Sequence, residues 1–336
     1  MKIYRNIVLS TALLLSAAFT TACGSSNKRN SSEENKLEPQ TSVQAPAFNA
    51  DSAYLYIQNQ VEFGPRVPNT QAHKACGEFL AKKLESFGAK VYNQHVELIA
   101  YDGTLLKSRN IIGAYNPESK KRVMLCAHWD SRPYADNDNA KNHHTPIDGA
   151  NDGASGVGVL LEIARQLQLQ NTNIGIDIIF FDSEDYGTPD FYKGDYKEDT
   201  WCLGSQYWGR IPHVADYKAR FAILLDMVGG KNARFHYEGY TKRTAHNAMM
   251  KVWDIAHETG YANYFVKKDG GEVIDDHVYV NRFRQIPCVD IIHYDTQSNT
   301  GFNPTWHTLE DNISNIDKAS LKAVGQTVMN VIYNEK

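Results

Sequence analysis

The residues in this chain best suited to chemistry are carboxylates and imidazoles standing directly behind short apolar runs. His128 and Asp130 follow residues 123–127 in AHWDS, and Glu184 and Asp185 follow residues 174–181 in FFDSED. Asp226 follows residues 221–225 in LLDM, and Asp152 sits in GANDGASG, just ahead of an amphipathic segment. Carboxylate oxygens and imidazole nitrogens bind zinc, and the same groups move protons near neutral pH. Each fragment also has an ordinary explanation. Asp152 in an Asn-Asp-Gly turn could cap the next helix, and Asp226 could close a strand. Two adjacent carboxylates abutting Phe180-Phe181 are harder to assign to a solvated loop.

The elements that must carry these groups are legible from periodicity. Ala72, Ala75, Cys76, Phe79, Leu80, Leu84 and Phe87 share one helical face, with Gly88 where a helix stop belongs. Residues 91–100 and 108–115 read as strands joined by a turn at 101–103. Residues 123–127, 174–181, 221–225 and 288–292 are apolar throughout, the pattern of strands buried on both faces. Val157, Leu160, Leu161, Ala164 and Leu167 mark another helix, and Leu321, Val324, Val328, Val331 and Ile332 a closing one. This alternation predicts an α/β sheet covered on both faces. Ligands in such sheets gather at the carboxyl ends of the strands, so the four clusters belong to one crevice.

The 336 residues suffice for one large domain, and 35 basic against 39 acidic residues give no electrostatic reason to expect nucleic acid. Aromatics at 11 % provide for a core and an aromatic-lined cleft. Lys2 and Arg5 precede an apolar run at 7–19 too short for a membrane span. The run ends in Thr20-Thr21-Ala22-Cys23-Gly24, which resembles the lipobox of bacterial lipoproteins. The expected plan is a lipoprotein signal peptide at 1–22, a lipidated Cys23 with a polar tether over 23–48, and a catalytic domain over 49–336. The chain is then exported and anchored to a bacterial membrane, its domain in the periplasm; ordinary cleavage after Ala22 is the alternative and also exports it. No CxxC spacing occurs, and Cys126 and Cys288 lie inside strand-like runs. Cys76, Cys126, Cys202 and Cys288 are expected to be mostly free, buried thiols.

The order of motifs adds a resemblance. FGPRVPN from Phe63, AHWDS from Ala127, GANDGASG from Gly149, FFDSED from Phe180, LLDM from Leu224, DDH from Asp275 and WHTLEDN from Trp306 together resemble the glutaminyl cyclases. These are relatives of the zinc aminopeptidases. The resemblance implies a single globular domain with a mixed, mostly parallel central sheet flanked by helices on both faces. It implies one zinc ion per chain, held by Asp152, Asp185 and His307, and a monomer acting on peptides with N-terminal Gln. Glu184 takes the role of general acid and base, while Asp226 and Asp275 hydrogen-bond near the substrate amide and share a proton. Asp276 competes with Asp275 for that place, and Asp275 could instead cap the helix that follows it. Trp306 walls the substrate pocket, with Trp201 and then Trp129 as weaker candidates. His143, His144 and His293 have no motif support and read as surface or satisfied core histidines.

Two other classes stay open at this level. A zinc aminopeptidase would bind a second metal, using His128, Asp226 and Asp130 as ligands or supports. A non-catalytic binding lipoprotein would show broken ligand positions, whereas Asp152, Glu184, Asp185 and His307 are all intact.

Overall fold

Strand β3 (Arg122–His128) is buried at every residue, and its alternating side chains supply two separate cores. Val123, Leu125 and Ala127 join one apolar cluster, Met124 and Cys126 another. Such a strand needs cover on both faces. The computed structural model describes residues 44–336. In chain order its elements are α1 (Ala50–Val61), α2 (Gln71–Ser86), β1 (Lys90–Ile99), β2 (Leu105–Tyr115), β3, α3 (Ala154–Leu169), β4 (Gly175–Phe181) and α4 (Leu203–Arg210). There follow β5 (Ala222–Asp226), β6 (Phe235–Tyr237), α5 (Gly239–Thr244), α6 (His246–Glu258), β7 (Phe265–Asp269), α7 (Asp276–Arg284), β8 (Cys288–Ile292) and α8 (Lys318–Tyr333).

Six strands form one sheet in the order β1-β2-β4-β3-β5-β8. The four inner and far-edge strands β4, β3, β5 and β8 run parallel, while β2 is antiparallel to both β1 and β4. The sheet is therefore mixed and mostly parallel, as expected. Strands β6 and β7 make a separate two-stranded piece that the sequence reading did not pick out. They are three and five residues long and carry little periodicity. One face of the sheet packs on the large cluster that holds Ile57 of α1, Leu160 of α3, Trp253 of α6 and Val328 of α8. The other face packs on Trp208 of α4 and Val280 of α7.

Two glycines of the GANDGASG stretch fix how closely α3 meets the strand ends. Gly153 has φ +82°, and a Cβ there would lie 2.7 Å from the His128 ring and 2.9 Å from the Asp130 carbonyl oxygen. A Cβ on Gly156 would overlap the backbone of Leu225 on β5. Any side chain at either position would push α3 away from the sheet.

The domain begins earlier than expected. Phe48, assigned by sequence to the tether, is 3 % exposed, and its N–H donates to Gln326 on α8 at 2.8 Å. Its ring lies over Gly325, so the final residues before α1 are part of the core. The signal peptide, Cys23 and the rest of the tether lie outside the described residues. Among the described residues, no helix is long and apolar enough to cross a membrane, and Cys76, Cys126, Cys202 and Cys288 are free and buried.

Candidate metal centre

The carboxyl ends of β4, β5 and β8 open into one cleft of about 370 Å³, lined by Asp152, Glu184, Asp185, Asp226, Asp275 and His307 among others. Parallel strands put their last residues side by side, which is why groups nearly a hundred positions apart meet here. Asp275 arrives from the N-terminus of α7, and His307 from the long connection after β8.

Two overlapping triads share Asp152. In the first, Asp152, Asp185 and His307 each bring one ligand atom within 4.8 Å of the others. His307 Nε2 lies 3.3 Å from Asp185 Oδ1 and 3.7 Å from Asp152 Oδ2. Both carboxylate oxygens of Asp185 are buried without a hydrogen-bond partner. Burial, then the Asp152 charge, raises its carboxyl to about 6, despite His307 and Arg132. Buried carboxylate oxygens left unpaired are costly, and a cation would satisfy them and reverse that shift. Two oxygens and one imidazole nitrogen suit a catalytic zinc, which takes three protein ligands and keeps one position free.

The second triad is His128, Asp152 and Asp226. Here the imidazole itself closes the group: Nε2 lies 3.0 Å from Asp152 Oδ1 and 3.2 Å from Asp226 Oδ1. Burial opposes a charge on His128, but hydrogen bonds to Asp130, Asp152 and Asp226 outweigh it and hold its pKa well above the usual value. The imidazole thus stands between the two carboxylates as their shared partner.

Asp130 is in neither triad. Its oxygens accept the backbone N–H groups of Glu184 and Asp185, each at 3.1 Å, and its Oδ1 lies 3.5 Å from His128 Nδ1, behind that imidazole. Its carboxylate clamps the turn that carries the catalytic candidates. Asp311 does the same for the neighbouring loop, accepting from Asn151 N at 2.7 Å and Asp152 N at 3.0 Å. Asp152 does not cap α3; the N-cap residue is Gly153, which makes no side-chain bond.

Glu184 faces the same cleft. Burial raises its carboxyl well above the usual range; His128 opposes this, while Asp185, Asp275 and Asp276 add to it. Cys202 Sγ lies 3.1 Å from Glu184 Oε1. Burial raises Asp226 as well, and burial followed by the Asp226 charge lifts Asp275 to about 7. Asp275 also caps α7, accepting from Asp276 N–H. The capping reading and the cleft reading thus hold together, one carboxylate oxygen serving each. Asp276 is buried beside it but does not line the cleft.

Trp306 stacks on His307, with centroids 3.7 Å apart and planes at 24°. Trp201 stacks at 6.0 Å and 11°. Both line the cleft. Trp129 does not: it is fully buried, stacked on His73 and donating to the Arg109 carbonyl. His293 is a buried core histidine whose burial lowers its pKa to about 4. His143 Nε2 sits 2.9 Å from the Asp138 carbonyl, outside the cleft.

Two residues of the site were not singled out from sequence. Asp136 Oδ1 lies 3.1 Å from His307 Nδ1 and fixes that ring's tautomer and direction. Arg132 hydrogen-bonds Asp136, donates to the Asp185 carbonyl at 2.9 Å and stacks 4.4 Å from the Trp201 ring. Burial raises the Asp136 carboxyl, but Arg132 and His307 overcome this and keep it below the usual range. Both residues follow AHWDS in the sequence, and that proximity was the available signal.

The profile of peptidase family M28 matches residues 110–332. The structure of a glutaminyl cyclase from Bacteroides thetaiotaomicron, bound to N-acetylhistamine, is 63 % identical with a TM-score of 0.86. That likeness covers 87 % of this chain and 100 % of that one. A leucine aminopeptidase precursor from the same organism is 63 % identical with a TM-score of 0.85, over 88 % of this chain and 100 % of that one. An aminopeptidase of Bacillus subtilis is 26 % identical over 299 residues, 86 % of this chain and 58 % of the relative. The chain thus spans little more than half the length of that curated relative.

Proposed function

The chain belongs to peptidase family M28, and from that premise we propose that it is a glutaminyl-peptide cyclotransferase, closing N-terminal Gln to pyroglutamate with release of ammonia. The observation that carries this reading is the contrast between the two triads. His128 already bridges Asp152 and Asp226, while neither oxygen of Asp185 has a hydrogen-bond partner and its Oδ1 lies 3.3 Å from His307 Nε2 and 3.6 Å from Arg132 Nη1. That arrangement supports one zinc per chain, at Asp152, Asp185 and His307. A two-metal aminopeptidase is the second reading, favoured by the completeness of the His128 triad and the aminopeptidase relatives.

When bound, zinc supplies Lewis-acid polarisation of the substrate's γ-carbonyl. The chain's own residues do the rest. Trp306 and Trp201 wall the pocket and hold the glutamine stem folded, so that the α-amine reaches its own γ-carbon. Glu184 takes a proton from the amine as the new N–C bond forms and returns one to the leaving nitrogen as the C–N bond breaks. A carboxyl with a raised pKa is suited to both halves of that transfer. Asp226 and Asp275 share a proton and hydrogen-bond the departing amide, because two neighbouring carboxylates do not both ionise.

We further propose that the chain is exported and lipid-anchored at Cys23, acts as a monomer in the periplasm, and takes peptides or proteins with N-terminal Gln. The small residues ahead of Cys23 and the polar segment after it support the anchor. A Cys23→Ser variant that still fractionates with membranes would remove that part of the reading.

The test of activity offers the zinc-loaded chain a Gln-initiated and an Ala-initiated peptide, with products followed by mass spectrometry. Ammonia loss from the Gln peptide alone, abolished by a chelator, is expected. Release of a free amino acid without ammonia loss would establish the aminopeptidase instead, as would two zinc ions per chain.

A further inference from the structure

A cavity of about 450 Å³ lies between helix α2 and the β1–β2 hairpin and shares no lining residue with the metal cleft. His73, Lys74, His95, Lys107 and Arg109 line it, against one carboxylate, Glu78. The chain as a whole holds more acidic than basic residues, 39 against 35, so this basic wall is a local concentration. Arg122 and Arg132 pair with Asp177 and Asp136, whereas, among the described residues, Lys74, Lys107 and Arg109 form no ion pair.

Arg109 is held from one side only. Its Nε and Nη2 donate to Asn93 Oδ1 at 2.9 and 2.7 Å, which leaves Nη1 without a partner among the described residues. That nitrogen stands 3.6 Å from where a Cβ on Gly77 would lie, and the same Cβ would come within 2.9 Å of the Trp129 ring. The glycine therefore keeps the space between α2 and the guanidinium open. Burial lowers the pKa of Arg109, and the charges of Glu78 and Asp182 offset only part of this.

His73 adds a rigid wall. Its Nε2 lies 2.9 Å from Asp182 Oδ1, and its ring stacks on Trp129 with centroids 4.3 Å apart and planes at 14°. Burial opposes a charge on this ring, but Asp182 outweighs it and raises the pKa. Asp182 is itself committed elsewhere, accepting the backbone N–H groups of Arg109 at 2.5 Å and Ser183 at 2.7 Å. Like charges gathered around a low-dielectric cavity repel one another, and an anion seated among them turns each of those terms favourable.

We propose that this cavity is a binding site for a small anion that carries a phosphate group. A phosphate group presents several strong acceptor oxygens and close to two negative charges. That matches the free Nη1 of Arg109 together with the two lysine ammonium groups, whereas one carboxylate brings a single charge. Arginine supplies directed N–H donors and lysine a mobile point charge, the usual division of labour at phosphate. The cavity is larger than a phosphate group, so free phosphate and a phosphate monoester both fit its size. None of these residues is a proposed zinc ligand or takes part in the proposed cyclisation, so the inference stands apart from that reading.

The test is calorimetric titration of the zinc-loaded full chain at about 0.15 M ionic strength, which screens bare surface charge. Inorganic phosphate is the probe in one arm and glycerol 3-phosphate in the other. A Kd below about 1 mM is expected. Tighter binding of the ester assigns the site to phosphate monoesters, and equal binding assigns it to the free anion. A wild type that binds neither overturns the proposal. Phosphate also ligates zinc, so variants locate the binding. Arg109→Gln should weaken it about 10–100-fold, the loss of one hydrogen bond between charged groups. Lys74→Gln combined with Lys107→Gln should weaken it about tenfold or more. Both lysines are exposed, so the double variant keeps its fold and decides the matter if Arg109→Gln does not fold. Binding that these substitutions leave unchanged sits at the metal and overturns the proposal.

Discussion

Strands β3 and β4 carry buried charge at both ends, and the two ends are built differently. At the amino end Arg122 grips both oxygens of Asp177 at 2.6 Å, and Tyr217 donates to Asp177 at 2.7 Å. The remaining guanidinium hydrogens go to the carbonyls of Tyr115, Asn116 and Ser119. Every side-chain polar atom of Arg122 and Asp177 is accounted for. At the carboxyl end of β3, the cleft holds Asp185 with neither oxygen hydrogen-bonded and Asp275 with one oxygen lacking a partner. Both regions are buried and charged, so burial of charge does not by itself mark function. The difference lies in satisfaction: the amino-end cluster is complete, whereas the carboxyl-end cluster has places left for an ion and a substrate.

The contrast can be broken or sharpened by substitution. The largest effect is expected for Glu184→Gln, which should lower turnover by about 10²–10⁴-fold while zinc stays bound and the melting temperature changes little. Loss of zinc from that variant, measured by elemental analysis, would mean that Glu184 and Asp185 have exchanged roles. The complementary change is Asp177→Ala. It should cost about 3–5 kcal/mol of stability by stranding Arg122, yet leave kcat unchanged. Arg122→Met combined with Asp177→Leu should recover most of that loss, as read by urea denaturation. A kcat that drops with Asp177→Ala in still-folded protein would show that the two ends are coupled.

Smaller effects separate holding from reacting. Asp136→Asn removes the carboxylate behind His307 and should weaken zinc binding by about 10–100-fold, measured by competition with a chromophoric chelator. An unchanged zinc affinity would mean that Trp306 and Trp201 stacking alone fixes the ring. The smallest effect belongs to His213 near the amino-end cluster. Its Nδ1 accepts from Trp208 Nε1–H at 3.1 Å, and burial lowers its pKa to about 4. Because the folded value lies below the unfolded one, its stabilisation is complete above about pH 6.5 and is lost as pH falls toward 4. A His213→Gln variant should therefore show a shallower acid dependence of its denaturation midpoint than wild type.

Much of this was readable before any coordinates. The apolar runs at 123–127, 174–181, 221–225 and 288–292 became β3, β4, β5 and β8 with ends shifted by a residue at most. A continuous run is a strong signal because a strand buried on both faces has no polar positions to spare. Helices α1, α4, α5 and α6 were not read out, and β6 and β7 were too short to show a period. The start of the domain was placed late because Phe48 comes directly after a polar stretch, and its burial depends on Gly325 leaving room on α8.

The sequence by itself determined the strand ends, the donor chemistry of the site and the order of motifs that resembles the glutaminyl cyclases. Those are local properties: residue type, periodicity and spacing along the chain. Only the tertiary structure decided that Asp152 is shared by two triads, that His128 closes one of them, and that Asp130 and Asp311 clamp backbone amides. It also decided that neither oxygen of Asp185 has a hydrogen-bond partner. The reason is that satisfaction is a property of neighbours in space. Asp152 meets His307 across 155 positions, a distance that strand order β4-β3-β5-β8 closes and no local pattern encodes.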